Sequence, residues 1–521
     1  MRKISKGAAW ILLVALWAGV LFALPANLQA GAQLGASSPA LAAEDWPIYL
    51  PLISRLTPRN TPFGLETHSS FLNASTLSYT RDLEVGAVRM SLRISWRLLQ
   101  PAEGGPIQWD LLKNVDQELR LLNAADIDAV LVITDSPLWA VQVIDDDKGV
   151  CDFGAGPEPC SIDETDDGSG DGKSYCGAIA ADKFDDFAWF ISQLVNRYKT
   201  SEYNVKTWEL GNEPDVDPSY VPGDAGYGCW GDDVVDNYNG AHYGRMLKVV
   251  TPAIKAADPQ AQVWVGGLLL SSPDPLAVSN RFLTGILAEG AAPYFDAVPY
   301  HWYAWYYNKD DYQRDLDYDF DKLWMNLGGG SYGKAAFLKG RMDELGVSKP
   351  LIMNEVALGC SDRYSTGLCS PLTNEFLQSQ ANFIPRAALR ALKAGVRQVD
   401  WYVLEENSWG YVGLLDSNRN PKPVYYAYRN LIAQYDEGTF LGETLEYGSA
   451  VEAYAVQRKD GKRLHVVWSR SYFTVPTISV PQAQLIAIIG RDGEAIAKPA
   501  LTGSAYTISV GFSPIYLILT P

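Results

Sequence analysis

The sequence predicts an α/β chain in which a (β/α)8 barrel is followed by a small antiparallel β-sandwich. Three observations lead there. Eight short apolar runs recur between residues 62 and 404, with amphipathic stretches at helical spacing between them. No Gly-rich phosphate turn follows the first run, which removes a doubly wound open sheet as the alternative. After residue 435 the texture changes to short alternating runs, such as V-E-A-Y-A-V-Q-R and F-S-P-I-Y-L-I-L-T, separated by K-D-G-K and R-D-G-E turns.

Taken in order, the predicted strands are residues 62–66 (P-F-G-L-E), 86–94 (G-A-V-R-M-S-L-R-I), 128–134 (D-A-V-L-V-I-T) and 205–210 (V-K-T-W-E-L). The second half contributes 262–267 (Q-V-W-V-G-G), 295–300 (F-D-A-V-P-Y), 350–354 (P-L-I-M-N) and 398–404 (Q-V-D-W-Y-V-L). Residues 114–125 and 184–198 carry apolar side chains at helical spacing and are predicted helices. The barrel is therefore expected over 61–432 and the sandwich over 433–521, with 31–60 as a Pro-punctuated linker whose W-P-I-Y-L-P-L-I can be an edge strand or a tether. No internal repeat of solenoid length is visible.

Composition narrows the partners. The chain has 521 residues, 47% apolar and 20% charged, the balance of a protein with a large core. With 61 acidic against 43 basic residues the net charge is -18, which repels nucleic acid and anionic bilayers. The N-terminus M-R-K-I-S-K precedes an apolar run from Gly7 to Leu24, with Ala-x-Ala spacings at Ala30/Ala32 and Ala40/Ala42. Residues 1–30 read as a secretory signal, or as an uncleaved anchor, since the run is just long enough to span a bilayer. Either way the rest is expected outside the cell, secreted or at its surface, and otherwise soluble.

Six cysteines, Cys151, Cys160, Cys176, Cys229, Cys360 and Cys369, suit that compartment. At least two loop disulfides are expected, Cys360 with Cys369 first, because they are close in sequence and bracket a polar loop. Neither the cysteine spacings nor the scattered His68, His242, His301 and His465 form a zinc pattern, so no metal is expected. The long acidic, Gly-rich loop after the third strand lacks the Asp spacing of an EF-hand and is read as a solvated loop able to wall one side of the barrel mouth.

The chemistry is carried by residues 208–215, W-E-L-G-N-E-P-D. The strand stops at Pro214, so Glu213 sits where a barrel strand opens into a loop. Alone it could be a solvated acid beside a turn proline. A second glutamate, Glu355, follows P-L-I-M-N, and a barrel brings the ends of its fourth and seventh strands to one mouth. Paired carboxyl groups of different pKa, one donating a proton and one attacking or supporting an anomeric carbon, are what glycoside hydrolysis needs.

The order N-E-P after the fourth strand and Glu after the seventh resembles clan A of the glycoside hydrolases, four-over-seven barrels that cleave β-glycosides with retention. The likeness extends to R-M-S-L-R-I-S-W (89–96), Gln100-Pro101, Trp109-Asp110, S-P-L-W-A (136–140), Y-H-W-Y (300–303) and W-G-Y-V-G-L-L-D (409–416) followed by K-P-V-Y-Y-A-Y. It covers roughly residues 62–430, and the chain is similar to family 39 and family 5-like β-glycosidases. The resemblance implies Glu213 as acid/base, Glu355 as nucleophile and Asn212 on the sugar 2-hydroxyl. It also implies His301 and Tyr303 lining the site, the tyrosine hydroxyl near Glu355, and one of Arg89 and Arg93 keeping Glu355 ionised.

Aromatic residues make up 12% of the chain, and Trp139, Trp230, Trp302, Trp305 and Trp409 fall at the predicted mouth, where flat rings suit sugar C–H faces. Trp139 and Trp409 are the expected stacking platforms, because they follow matched motifs. The expected partner is a carbohydrate, with no cofactor and a monomeric chain. The rival readings are a carbohydrate-binding barrel without catalysis, which the paired glutamates argue against, and a transglycosylase.

Overall fold

The computed structural model describes residues 60–521 except 69–70, 142–149, 152–157, 160–177, 217–229, 231–239, 274–277, 363–366 and 408. The predicted leader or anchor, nearly all of the predicted linker, most of the acidic loop and the side chains of Cys151, Cys160, Cys176 and Cys229 lie outside that range.

Eight parallel strands form the core: β1 (Phe63–Thr67), β2 (Ala87–Ser95), β3 (Asp128–Thr134), β4 (Thr207–Asn212), β5 (Gln262–Gly267), β6 (Val298–Tyr306), β7 (Leu351–Cys360) and β8 (Val396–Trp401). Each leads to a helix: α1 (Ala74–Leu83), α2 (Lys113–Ala124), α3 (Phe184–Tyr198), α4 (Ala241–Ala257), α5 (Val278–Ala288), α6 (Gly330–Glu344), α7 (Asn374–Lys393) and α8 (Pro423–Tyr435). The hydrogen-bonded order is β5-β4-β3-β2-β1-β8-β7-β6. The seam between β5 and β6 is joined by bridges at Trp264–Ala297 and Leu268–Tyr300, and the His301 N–H donates to the Leu268 carbonyl at 2.8 Å. The sheet thus closes into the predicted barrel.

Two strands run past their predicted ends. The sequence placed the sixth and seventh at 295–300 and 350–354, whereas β6 and β7 continue to Tyr306 and Cys360. The polar residues that seemed to end them, His301, Asn354 and Glu355, are instead held inside the barrel.

Both faces of the sheet are covered. Leu65, Met90, Leu131, Trp208, Val265, Tyr300, Met353 and Val399 share one apolar core with helix residues such as Phe187, Phe190, Ile191 and Leu194 of α3, whose spacing is that of a single helix face. Inside the barrel, toward the N-terminal ends of the strands, Val130, Trp264, Ala297 and Ile352 form a small apolar layer. A layer of charges lies above it. At the C-terminal end of β7, Cys360 and Cys369 form the expected disulfide.

The chain then forms nine antiparallel strands: β9 (Thr439–Glu443), β10 (Val451–Gln457), β11 (Arg463–Ser469), β12 (Thr477–Pro481), β13 (Leu485–Ile489), β14 (Ala495–Ile496), β15 (Leu501–Thr502), β16 (Ala505–Ser509) and β17 (Ile515–Leu519). They make a six-stranded sheet in the order β9-β10-β11-β17-β13-β14 and a three-stranded sheet in the order β12-β16-β15. Val451, Val467, Ile478, Val480, Ile508, Leu517 and Leu519 fill the space between the sheets. On the other face of the larger sheet, Tyr454, Val456, Leu464, Val466, Trp468, Tyr516 and Ile518 belong to the same apolar core as the barrel helices. Among the described residues, no helix is long and apolar enough to cross a membrane.

Candidate active site

Glu213 is presented by a forced turn. Gly211 has φ +94° and Glu213 itself φ 46°, a left-handed backbone that an L side chain adopts at a cost of roughly 1–2 kcal/mol. The turn is held where the Glu213 N–H donates to the Gly267 carbonyl at 2.8 Å and the Val216 N–H donates to the Glu213 carbonyl at 3.0 Å. The carboxyl is thereby aimed across the mouth at β6, where its Oε1 lies 2.8 Å from His301 Nδ1.

Glu355 arrives by a different device. Between β6 and β7, Tyr300 pairs with Met353 but His301 pairs with Glu355, so β7 carries one extra residue at that point. This bulge turns both Asn354 and Glu355 toward the interior, which a regular strand forbids. The Asn354 amide nitrogen donates to both Glu209 oxygens at 3.1 and 3.0 Å. Glu355 accepts from the Arg89 guanidinium and the Tyr303 hydroxyl, and its Oε2 lies 3.3 Å from His301 Nδ1.

Arg89 is the hub beneath the pair. Completely buried, it bonds Glu209 through Nε at 3.0 Å and Nη2 at 2.8 Å, Glu66 through Nη1 at 2.6 Å, and Glu355. Its Nη2 also donates to the Asn212 amide oxygen at 2.6 Å, so the amide nitrogen is the donor that Asn212 can offer a ligand. Arg93 does not join this network. The register of β2 breaks between Met90 and Ile94, with Leu92 at φ 53°, and Arg93 is turned to Glu118 of α2 at 2.9 Å and to the His68 carbonyl. Of the two candidate arginines, Arg89 meets Glu355, and Arg93 ties a loop to a helix.

One guanidinium cannot neutralise this many acids. Burial pushes the Glu213 carboxyl up to about 7, opposed by Arg89 and Lys334. Burial, and then Glu66, push Glu355 well above the usual carboxylate range, against Arg89. The pair therefore retains a proton near neutrality. Glu355 already accepts from two donors, whereas among the described residues the Glu213 carboxyl meets only the imidazole, so the hydrogen bonds favour the proton on Glu213. Burial and Arg89 hold the His301 pKa far below its ordinary value, so the ring is neutral. Among the described residues its Nε2 has no partner, and it faces Gly267, which assigns the ring proton to Nδ1, between the two carboxyl groups.

The aromatic wall lies on the β6–β8 side. Trp409, 42% exposed, is edged by Tyr303 at 4.8 Å, Trp305 at 5.1 Å and Tyr402 at 5.6 Å between ring centroids. Tyr303 links this wall to Glu355. Trp139 is half-buried, packed edge-on against Trp96 at 5.2 Å with its Nε1 donating to the Gln100 carbonyl at 3.2 Å. Trp302 is not at the mouth: it is 3% exposed and packs beneath Gly330 of α6, because alternate residues of β6 face outward.

Sequence reasoning missed Glu66, Glu209, Asn354 and Ser91, whose hydroxyl donates to Glu66. The signal was present in part, since Glu66 and Glu209 are lone acids in apolar strands buried on both faces, where a charge must be paired. Glu213, His301 and Glu355 also offer one ligand atom each within 4.8 Å of one another, a spacing open to a metal ion. Arg89 on Glu355 opposes a second cation there, and the donors present serve carboxyl groups instead.

The sequence matches no protein-family model and no curated protein. Solved structures do match. A family 39 glycoside hydrolase from the gut symbiont Bacteroides cellulosilyticus WH2 is 18% identical with a TM-score of 0.59, over 89% of this chain and 82% of that one. The catalytic domain of the family 30 xylanase C from Talaromyces cellulolyticus is 14% identical with a TM-score of 0.55, over 89% and 98% of the two chains. A family 39 β-xylosidase from Caulobacter crescentus is 15% identical with a TM-score of 0.52, over 90% and 98%. This chain has the fold of the family 39 and family 30 glycoside hydrolases.

Proposed function

We propose that the chain is an exported, retaining β-glycoside hydrolase acting on β-linked oligo- or polysaccharides by double displacement. Glu213 protonates the glycosidic oxygen while a Glu355 oxygen attacks the anomeric carbon. The C–O bond to the leaving group breaks as the glycosyl–Glu355 ester forms, and Glu213 then takes a proton from the water that releases the sugar. Asn212 donates to the sugar 2-hydroxyl, and Trp409 carries a ring face of the substrate. Export rests on the charged, then apolar, N-terminal sequence.

One observation carries the reading: carboxyl groups from the turn after β4 and from the bulge within β7 converge on a single imidazole nitrogen at 2.8 and 3.3 Å. Their facing atoms lie within 4.8 Å, closer than the roughly 6.5–9.5 Å that an inverting pair leaves for a water between carboxyl groups. The pair is also unequal, since only Glu355 sits on a guanidinium and a phenol.

The test is hydrolysis of a panel of aryl β-glycosides and β-linked polysaccharides, with xylosides first because two of the matched structures are a xylanase and a β-xylosidase. Wild type is expected to release a product of retained configuration. Glu355→Ala should lose activity on every substrate, and Glu213→Ala should lose about 10²–10⁴-fold on poor leaving groups but far less on good ones. Binding of a polysaccharide without cleavage would overturn the reading in favour of a non-catalytic barrel. Products built mainly on sugar acceptors would make the chain a transglycosylase.

A further inference from the structure

The β5–β6 seam is the weak joint of the barrel. Every other neighbouring pair of barrel strands shares a ladder, whereas β5 and β6 share isolated bridges. The residues that follow β5 are held by two buried charges the proposed mechanism does not use. Asp215, two positions after Glu213, accepts from the Leu269 N–H and the Leu270 N–H, each at 2.8 Å. Lys334 reaches in from α6 and donates from Nζ to the Leu269 carbonyl at 2.6 Å and the His301 carbonyl at 2.8 Å. Its ammonium lies over the rings of Trp302 at 5.3 Å and Trp324 at 5.6 Å. His301 Nδ1 closes the circuit on Glu213 Oε1 at 2.8 Å.

Going around, Glu213 leads through Pro214 to Asp215, across to Leu269 and Leu270, through Lys334 to His301, and back to the Glu213 carboxyl. Two backbones in the circuit are left-handed, Glu213 at φ 46° and Leu270 at φ 49°. Neither is glycine, so the surrounding bonds must hold both in place.

We propose that Asp215 and Lys334 are positioning residues, which clamp the segment after β5 between the turn carrying Glu213 and the strand carrying His301 and so fix the direction of the acid/base carboxyl. Neither touches the substrate; each acts through Glu213 and His301. The inference rests on the assignment of Glu213 as general acid, because a proton donor must be held within hydrogen-bond reach of the leaving oxygen.

The test is the dependence of kcat/KM on the leaving group. Asp215→Asn and Lys334→Met are compared with wild type on a phenyl β-glycoside, which needs the acid, and on the 2,4-dinitrophenyl β-glycoside of the same sugar, which does not. Lys255→Met is the control, since Lys255 staples the other end of the same seam, to the Ala261 carbonyl at 2.6 Å and Asp296 at 2.8 Å. Asp215→Asn and Lys334→Met are expected to lose about tenfold or more on the phenyl substrate and less than about threefold on the dinitrophenyl one. Lys255→Met should lower Tm and leave the ratio of the two rates unchanged. Equal losses on both substrates, or a fall in Tm with the wild-type ratio, would overturn the clamp, and so would failure of both variants to fold while the control folds. If wild type cleaves neither substrate nor any other glycoside of the panel, it is the assignment of Glu213 that has failed.

Discussion

At the scale of single residues, the site is decided by one cation shared among Glu66, Glu209 and Glu355. Arg89→Met removes the one cation that, among the described residues, these buried acids bond directly, and breaking a buried ion pair from one side costs about 3–5 kcal/mol. Urea unfolding should register that loss together with a collapse of activity. Arg93→Met should lower stability while leaving far more activity, since Arg93 bonds Glu118 and the His68 and Ser91 carbonyls and not Glu355. The pH dependence follows from Glu213. Its carboxyl must be protonated to act as the acid and is held up to about 7, so kcat/KM should fall as pH rises through about 7. Stability has the same sign. The folded carboxyl keeps, up to about 7, a proton that the unfolded one releases near its ordinary 4.5, so this contribution is present below 4.5 and is lost as pH rises through about 7. Glu213→Gln should flatten the pH dependence of urea unfolding across that window.

At the scale of elements, the bulge in β7 and the glycine in β5 do work that strand periodicity hides. Strict alternation puts Asn354 and Glu355 on opposite faces, and the extra residue lets both face inward. Across from them, a Cβ on Gly267 would clash with His301 Nε2 and crowd Asn354 Oδ1 at 3.0 Å. Gly267→Ala is therefore expected to push the imidazole off the carboxyl pair and lower kcat by about 10²-fold, since misplacing a catalytic group by about 1 Å costs that much. Far-ultraviolet circular dichroism should show the barrel still formed. Activity near wild type would mean that the imidazole does not need its place.

At the scale of the whole molecule, the sandwich is a wall of the barrel's core. Arg390 of α7 pairs with Asp315 at 2.8 Å, Asp317 at 3.0 Å and Glu452 of β10 at 2.8 Å, joining the β6–α6 connection, a barrel helix and the larger sheet. Around that knot, Trp468, Tyr454 and Tyr516 close the same apolar core as α7 and α8. A chain ending at Asp436 would expose that face, so it is expected to be insoluble or to melt well below the full chain in a thermal shift measured on soluble protein. A barrel of unchanged Tm without the sandwich would show the two to be separable.

What the sequence determined by itself was the part written in local pattern. Apolar runs of strand length between amphipathic helices specified the barrel, the switch to alternating runs after residue 435 specified the sandwich, and N-E-P with a second Glu located the carboxyl pair. Cys360 and Cys369 were legible because the partners are close in sequence. The tertiary structure alone decided which arginine meets Glu355, that Trp302 turns outward, and that Glu66, Glu209, Asp215 and Lys334 converge around the site. The reason is physical: a buried charge must find its partner in space, and bulges and left-handed turns set which way each side chain points. Residues such as Arg89 and Glu209 are far apart along the chain, so no spacing records that they meet.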